Sequence, residues 1–397
     1  MIVVIIVILA GFAFTQYFVR LHRGTEKMLA RRWFDRGDAA MLAGDAPVAA
    51  DDYRTALSYD REDDLYRLRL AQALLASNRL NEARSHLVSL WDEEPASGEV
   101  NLALGRLYAR RNSAPQAARY YRNAINGVWD SAPQQHRIAT RFELIDYLME
   151  RHDTGQASAE LLALQADQPP AVSDQLRLAG LLLQVGEATR SIDTYKRILR
   201  DDPNEAQAWL GLGNASIALG DYQGAEHALA IALEHNSDST EAHQQLELVR
   251  EVLRVAPSLR GLSLAERTHR VAEAFNAALS RLTSCAVQRG YVLSPQGSQT
   301  SSTSAANDNL PPSKGRAASA NRTATPAPDD LQLLYSRGLQ IKSAATERAL
   351  RGNPDSLEPV MQFVFEAERT AATSCPEMIE TDRALLLLAQ HESETLR

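Results

Sequence analysis

Residues 206–237 read AQAWLGLGNASIALGDYQGAEHALAIALEHNS, and this stretch decides the fold. Small residues at Gly213 and Ala225 allow two helices to approach closely, because neither carries a bulky side chain at the contact. Leu229, four residues after Ala225, supplies the bulk that fills the next interface. The stretch is therefore predicted to fold as a pair of packed α-helices.

The same pattern of small and bulky positions recurs along the chain with a period of 34 residues, which is typical of stacked repeats. A six-residue insertion at 132–137 interrupts the series once, and Ile145 is the one large residue at the eighth position of a repeat. The twentieth position is small in all six repeats, and proline ends three of them. The repeats begin at Ala30, Asp64, Gly98, Ile138, Val172 and Ala206.

This pattern resembles the tetratricopeptide repeat (TPR) family over residues 30–239, and the sixth repeat matches its consensus at Trp209, Gly213, Gly220, Tyr222 and Ala225. The resemblance implies an all-α superhelical solenoid whose first helices line a groove for a peptide or partner protein. Stacked repeats need a polar closing helix, and residues 240–255 have the amphipathic pattern for one. We therefore assign residues 30–257 to a solenoid of six repeats plus a capping helix.

Residues 1–19, MIVVIIVILAGFAFTQYFV, are almost wholly apolar. At about 1.5 Å per residue, such a helix roughly spans a hydrocarbon core of ~30 Å. A signal peptide is disfavoured because no basic region precedes the apolar run, and a core helix is the other alternative. We predict a single transmembrane helix in a bacterial inner membrane, followed by a basic juxtamembrane segment over 20–29.

Basic residues follow the apolar segment and none precedes it, which predicts a cytoplasmic location for the rest of the chain. Basic residues upstream of Met1 would reverse this orientation, so the periplasmic side stays open. The flanking basic residues are Arg20, Arg23, Lys27, Arg31 and Arg32.

The resemblance also implies which side chains face the groove. Arginines in the third repeat predict a basic spot and carboxylates in the fourth an acidic one, while Phe and Leu at the fifth position of each repeat predict an otherwise apolar lining. The alternative is that these charges are ordinary solvated faces. The candidate partner-binding residues are Arg106, Arg110, Asp146, Glu150, Gln184 and Asn214.

A helical module is predicted after the repeats. Residues 258–293 hold one helix, 294–329 form a Ser/Ala/Pro-rich linker without a core, and 330–397 form further helices. Cys285 and Cys375 lie on the apolar faces of their helices. They are either two buried thiols or a disulfide, and a disulfide would imply an oxidising compartment.

The composition and motifs exclude several functions. A net charge of −8 argues against a nucleic-acid binder, and the chain has no Walker loop, GxSxG, HExxH or CxxC motif. We expect that the chain is not an enzyme and that it binds no metal or cofactor. The layout resembles that of membrane-anchored bacterial TPR proteins and predicts a scaffold that binds a protein or peptide partner and organises a complex at the membrane. The alternatives are an accessory subunit whose C-terminal helices bind the partner and a periplasmic assembly protein.

Overall fold

The computed structural model describes residues 12, 24–259, 261–289 and 330–395, with side chains as far as residue 391. Within these ranges no helix is both long and apolar enough to cross a membrane. The predicted anchor over 1–19, apart from Phe12, and the predicted linker over 294–329 lie outside the described residues. The chain divides between residues 171 and 172 into two compact units.

The first unit consists of antiparallel helix pairs. Aspartate or serine caps four of its helices by accepting a hydrogen bond from the backbone N–H three residues on, and these caps are Asp45, Asp63, Ser97 and Asp153. The helices are α1 (24–42), α2 (Ala46–Tyr59), α3 (Asp64–Ala76), α4 (Leu80–Glu93), α5 (Gly98–Arg110), α6 (Ala114–Ile125), α7 (Pro133–Glu150) and α8 (Thr154–Asp167).

Small and large residues meet within these pairs as the repeat pattern predicts. A Cβ on Gly37 would lie 2.6 Å from Tyr53 Cε1, and one on Gly105 would lie 3.1 Å from Tyr121 Cγ. A Cβ on Gly37 would overlap the Tyr53 ring, whereas a Cβ on Gly105 would require the Tyr121 ring to shift by a few tenths of an ångström. Both tyrosine side chains are buried by the contact.

The insertion before the fourth repeat extends a helix and corrects the prediction that this repeat begins at Ile138. Helix α7 begins instead at Pro133, because proline suits the first helical position, where a backbone N–H has no partner. The preceding Trp129 is buried, and its indole N–H donates to the Ala124 carbonyl at 3.0 Å. Its ring covers Gly98, where a Cβ would lie 2.3 Å from Trp129 Cε2.

The second unit contains two further repeat pairs and the C-terminal helices. Its helices are α9 (Val172–Gln184), α10 (Ala188–Asp201), α11 (Ala206–Ala218), α12 (Tyr222–His235), α13 (Thr240–Val255), α14 (Leu264–Gln288), α15 (Asp330–Ile341), α16 (Glu347–Gly352), α17 (Leu357–Ser374) and α18 (Glu380–Thr395). A short 3₁₀ turn, Pro354–Ser356, precedes α17.

One hydrophobic core connects the last repeat to the C-terminal helices. It includes Leu229 of α12, Val249 of α13, and Phe275 and Phe363 of α14 and α17, whose ring centroids lie 5.5 Å apart. Helix α13 packs against α18 as well as α12. Helix α13, the predicted closing helix, is therefore covered by the C-terminal helices and does not face solvent as a terminal cap.

Candidate protein-interaction site

A cavity of about 740 Å³ lies among α3, α5 and α7, the first helices of three successive repeats. We call this cavity the charged groove. Its lining includes Arg69 and Gln72 of α3, Arg106 and Arg110 of α5, and four residues of α7, namely Glu143, Asp146, Tyr147 and Glu150. The last four lie at helical spacing and so share one face of α7.

Arginines form the side of the groove contributed by α3 and α5. Arg110 donates through Nη1 to the backbone carbonyl of Leu75, and Arg69 donates through Nη1 to Gln72 Oε1 at 2.8 Å. A guanidinium group has five N–H donors, so each of these contacts leaves donors for a ligand. The arginines are thus held in place without being neutralised by these contacts.

A fixed ion pair connects the two sides of the groove. Arg106 Nε and Nη2 donate to the two carboxylate oxygens of Glu143 at 2.8 and 2.7 Å, and the Tyr121 hydroxyl donates to the same carboxylate at 2.8 Å. The bond to Glu143 raises the pKa of Arg106, and burial together with Glu143 raises the pKa of Tyr121. Arg106 therefore stays charged and aligned by a bidentate contact.

The side of the groove formed by α7 is acidic beyond this ion pair. Glu150 is exposed at the end of α7, and Asp146 lies one turn before it. The Tyr147 hydroxyl is buried and has no hydrogen-bond partner among the described residues. A buried hydroxyl is costly without a partner, so water or a ligand is expected to satisfy it.

The predicted site residues are distributed over both units. The charged groove brings together Arg106, Arg110, Asp146 and Glu150. Gln184 and Asn214 belong to the second unit, where Gln184 is exposed and Asn214 donates to Glu241 Oε1 at 3.0 Å.

The apolar part of the groove lining in the first unit does not come from the fifth-position residues on which the expectation rested. It comes from Met41, Leu75, Ala76, Ala103 and Ala109. The fifth-position residues Phe34, Leu68 and Phe142 are buried and do not line the cavity. Sequence reasoning also missed Glu143 and Tyr147. Their spacing of three and four residues from Asp146 and Glu150 was the available signal, because such residues share a helix face.

A second cavity, of about 480 Å³, lies among the C-terminal helices. Cys285 and Cys375 line it and are joined in a disulfide, with their Cα atoms 5.8 Å apart. Arg281 and Asp382 also line this cavity. Among the residues with described side chains, no group of three or more His, Cys, Asp or Glu is arranged to hold a metal ion.

Sequence models described as tetratricopeptide repeat match residues 34–88, 68–136, 142–206 and 182–247, together more than half of the chain. The chain therefore belongs to the tetratricopeptide repeat family, and the predicted repeats and all-α class are confirmed. Neither matching model describes an enzyme family.

The individual proteins that this chain resembles share low sequence identity with it. The chain is 28% identical over 165 residues to the putative cellulose synthase operon protein C of Escherichia coli O157:H7, covering 41% of this chain but only 14% of that protein. PilW, a type IV pilus biogenesis factor, is 20% identical with a TM-score of 0.38, covering 55% of this chain and 98% of PilW. YrrB, a TPR protein with an unusual peptide-binding site, is 15% identical with a TM-score of 0.37, covering 49% and 97% of the two chains.

Proposed function

We propose that this chain is a TPR scaffold that recruits a protein partner through the charged groove and is anchored to a bacterial inner membrane by residues 1–19. The observation that carries the proposal is the division of charge across the groove, with Arg69 and Arg110 on one side and Asp146 and Glu150 on the other. The family fold supports protein binding in general, and the anchor is supported by the apolar sequence of the segment.

The charges of the groove support one kind of partner. An extended or helical segment would place an acidic side chain against Arg110 and a basic side chain against Glu150, with a polar group near the Tyr147 hydroxyl. Complementary charge increases the association rate and disfavours partners with the opposite arrangement. Gln184 and Asn214 stay candidate partner-binding residues of the second unit, taken by itself.

Charge reversal tests the groove. We expect Arg110→Glu and Glu150→Arg each to reduce partner capture from native membranes by about tenfold or more, because each places like charges against each other. Arg111→Glu is the matched control, since Arg111 is the next residue but bonds Asn81 Oδ1 instead of lining the groove. Equal capture by all three variants and the wild type would refute the groove as the binding site.

Crosslinking with mass spectrometry in native membranes would identify the partner and the residues that touch it. Crosslinks from α3, α5 and α7 are expected. Recovery of the full chain from the soluble fraction, without detergent, would refute the membrane anchor even if the groove crosslinks were found. The two parts of the proposal therefore fail separately.

Exposed apolar side chains favour a second candidate, in which the C-terminal helices bind the partner. Ile379 lines the second cavity and is 67% exposed. Val287, which precedes the cavity residue Gln288 in sequence, is 62% exposed. Ile379→Arg tests this candidate without disturbing the core. Deleting 258–397 would be less informative, because it would uncover the apolar face of α13.

The basic flank and the cysteines favour opposite sides of the membrane. The basic residues after the anchor favour the cytoplasm, whereas the disulfide between Cys285 and Cys375 favours the periplasm, since disulfides persist in oxidising compartments. A C-terminal reporter fusion decides the side. A periplasmic reporter together with an intact disulfide in native protein supports an envelope-assembly role, and a cytoplasmic reporter with free thiols excludes it.

A further inference from the structure

Three charged side chains from three different helices meet in the interior of the C-terminal module. Arg281 of α14 and Asp382 of α18 are nearly buried, and Glu368 of α17 is fully buried. Arg281 donates through Nη1 to Glu368 Oε2, and its Nε lies 3.7 Å from Asp382 Oδ2. We call these three residues the buried charge cluster.

The buried charge cluster has one positive charge for two carboxylates. The second cavity brings one more charged group to its edge, the exposed Glu377, which is also negative. The nearby charges of α17 and α13 are engaged elsewhere, because Arg369 donates to the Ala389 carbonyl and Glu251 pairs with Arg254. An excess buried carboxylate without a counterion is unfavourable unless it takes up a proton.

Hydrogen bonding within the cluster is also incomplete. Arg281 Nε and Nη2 and Glu368 Oε1 have no hydrogen-bond partner among the described residues. Arg281 and Asp382 line the second cavity, so protons and water can reach the cluster from solvent. The cluster is therefore accessible to protons from solvent, and it lacks one positive charge to balance its two carboxylates.

We propose that the buried charge cluster is a proton-dependent latch that holds the C-terminal helix α18 against α14 and α17. With a proton on the Glu368–Asp382 pair, one guanidinium balances one carboxylate and the latch is closed. Without that proton, two carboxylates compete for Arg281. The Asp382 contact is the longer of the two, so α18 is the element released.

The disulfide confines the motion to α18. Arg281 and Cys285 lie one turn apart on α14, and Cys375 follows α17 directly, so the disulfide fixes α14 to α17 beside the cluster. Hydrogen bonds also hold α18, among them Thr381 to Glu251 Oε1 at 2.6 Å and the Tyr222 hydroxyl with His391 Nδ1 at 2.6 Å. Opening would uncover the face of α13 that α18 covers.

The sign of the pH dependence follows from burial. Burial raises the pKa of Glu368 to about 7 and also raises the pKa of Asp382, in both cases against the effect of Arg281. Unfolded glutamate has a pKa of ~4.3, so between that value and about 7 the closed state binds a proton that the open state lacks. Closure is therefore strongest at low pH and weakens as pH rises through this range.

Hydrogen exchange of α18 in the oxidised full-length chain tests the latch. After correction for the intrinsic exchange rate, we expect the opening equilibrium to increase by about five- to eightfold per pH unit between pH 5 and pH 7. This is less than the limit of about tenfold for one released proton, because the two pKa values bound the range. Glu368→Gln removes this proton and should make opening nearly independent of pH. Glu366→Gln is the matched control on the same helix, because Glu366 is half-exposed and pairs with Arg337.

The outcomes separate the latch from a merely structural cluster. A wild-type slope retained in Glu368→Gln, or a wild type without pH dependence, would overturn the proposal. If Glu368→Gln does not fold, carboxyl-carbon NMR titration of wild-type Glu368 replaces it. A midpoint near pH 7, at the upper end of the pH range over which α18 exchange changes, supports the latch, and a midpoint that does not match the exchange of α18 overturns it.

Discussion

Removal of the Cys285–Cys375 disulfide is expected to lower the stability of the C-terminal helices substantially. The two cysteines are 90 residues apart in sequence, and the bond closes a loop of that length in the unfolded chain. The chain-entropy relation for a loop of this size gives a stabilisation of about 4.6 kcal/mol at 25 °C. Residual structure in the unfolded state would reduce this value.

The perturbation is the double variant Cys285→Ala/Cys375→Ala, in which alanine avoids placing new hydroxyl groups at buried positions. Guanidinium unfolding of the C-terminal helices, followed by hydrogen exchange of α17, should show a loss of about 3–5 kcal/mol. Reduced wild type should lose a similar amount, which separates the bond from the packing of the sulfur atoms. A loss below about 1 kcal/mol in both samples would refute the entropic argument.

Three further changes test the packing of the repeats and the groove. Trp129→Ala should destabilise the first unit by about 3–5 kcal/mol, because it empties a buried aromatic site, and denaturant unfolding measures the loss. Gly211→Ala should cost about 1–3 kcal/mol, since its Cβ would lie 2.1 Å from Tyr195 Cζ, and a melting temperature equal to wild type would contradict this. A double-mutant cycle on Arg106 and Glu143 should give a coupling of at most about 1 kcal/mol, because both side chains are partly exposed.

The sequence predicted the repeat boundaries closely where a capping residue precedes the helix. The predicted starts of the second and third repeats, Asp64 and Gly98, coincide with the first residues of α3 and α5. Asp63 and Ser97 cap these helices and stop them from extending backwards. The repeat period and the capping residue thus predict the same helix start, so the local sequence is enough to locate it.

Prediction failed where a boundary depends on residues outside the repeat period. The insertion offered Pro133 as a helix start, but the 34-residue register favoured Ile138. The position of Trp129 over Gly98 is a contact between residues about one repeat apart, and it has no counterpart in the periodic pattern. Tertiary contacts of this kind override local propensity and cannot be read from spacing alone.

In the groove, sequence spacing likewise could not predict which charged side chains pair with each other. The family resemblance placed Arg106 with Arg110 and Asp146 with Glu150, and helical spacing agrees with it because residues four apart share a face. It could not show that Arg106 pairs with Glu143, which lies 37 residues away and has its register set by the extended α7. The pairing depends on how α5 and α7 pack, which is a property of the fold.

Because Arg106 pairs with Glu143, the predicted groove residues have two different roles. Both carboxylate oxygens of Glu143 are bonded by Arg106, so changing either residue disturbs the contact between α5 and α7 itself. Arg110 lies one turn further along α5 with one nitrogen bonded to a backbone carbonyl, and Glu150 is exposed at the end of α7. Variants at 106 should therefore change stability and partner capture together. Variants at 110 and 150 should change capture with a smaller effect on unfolding, and the opposite ranking would place the partner elsewhere on the chain.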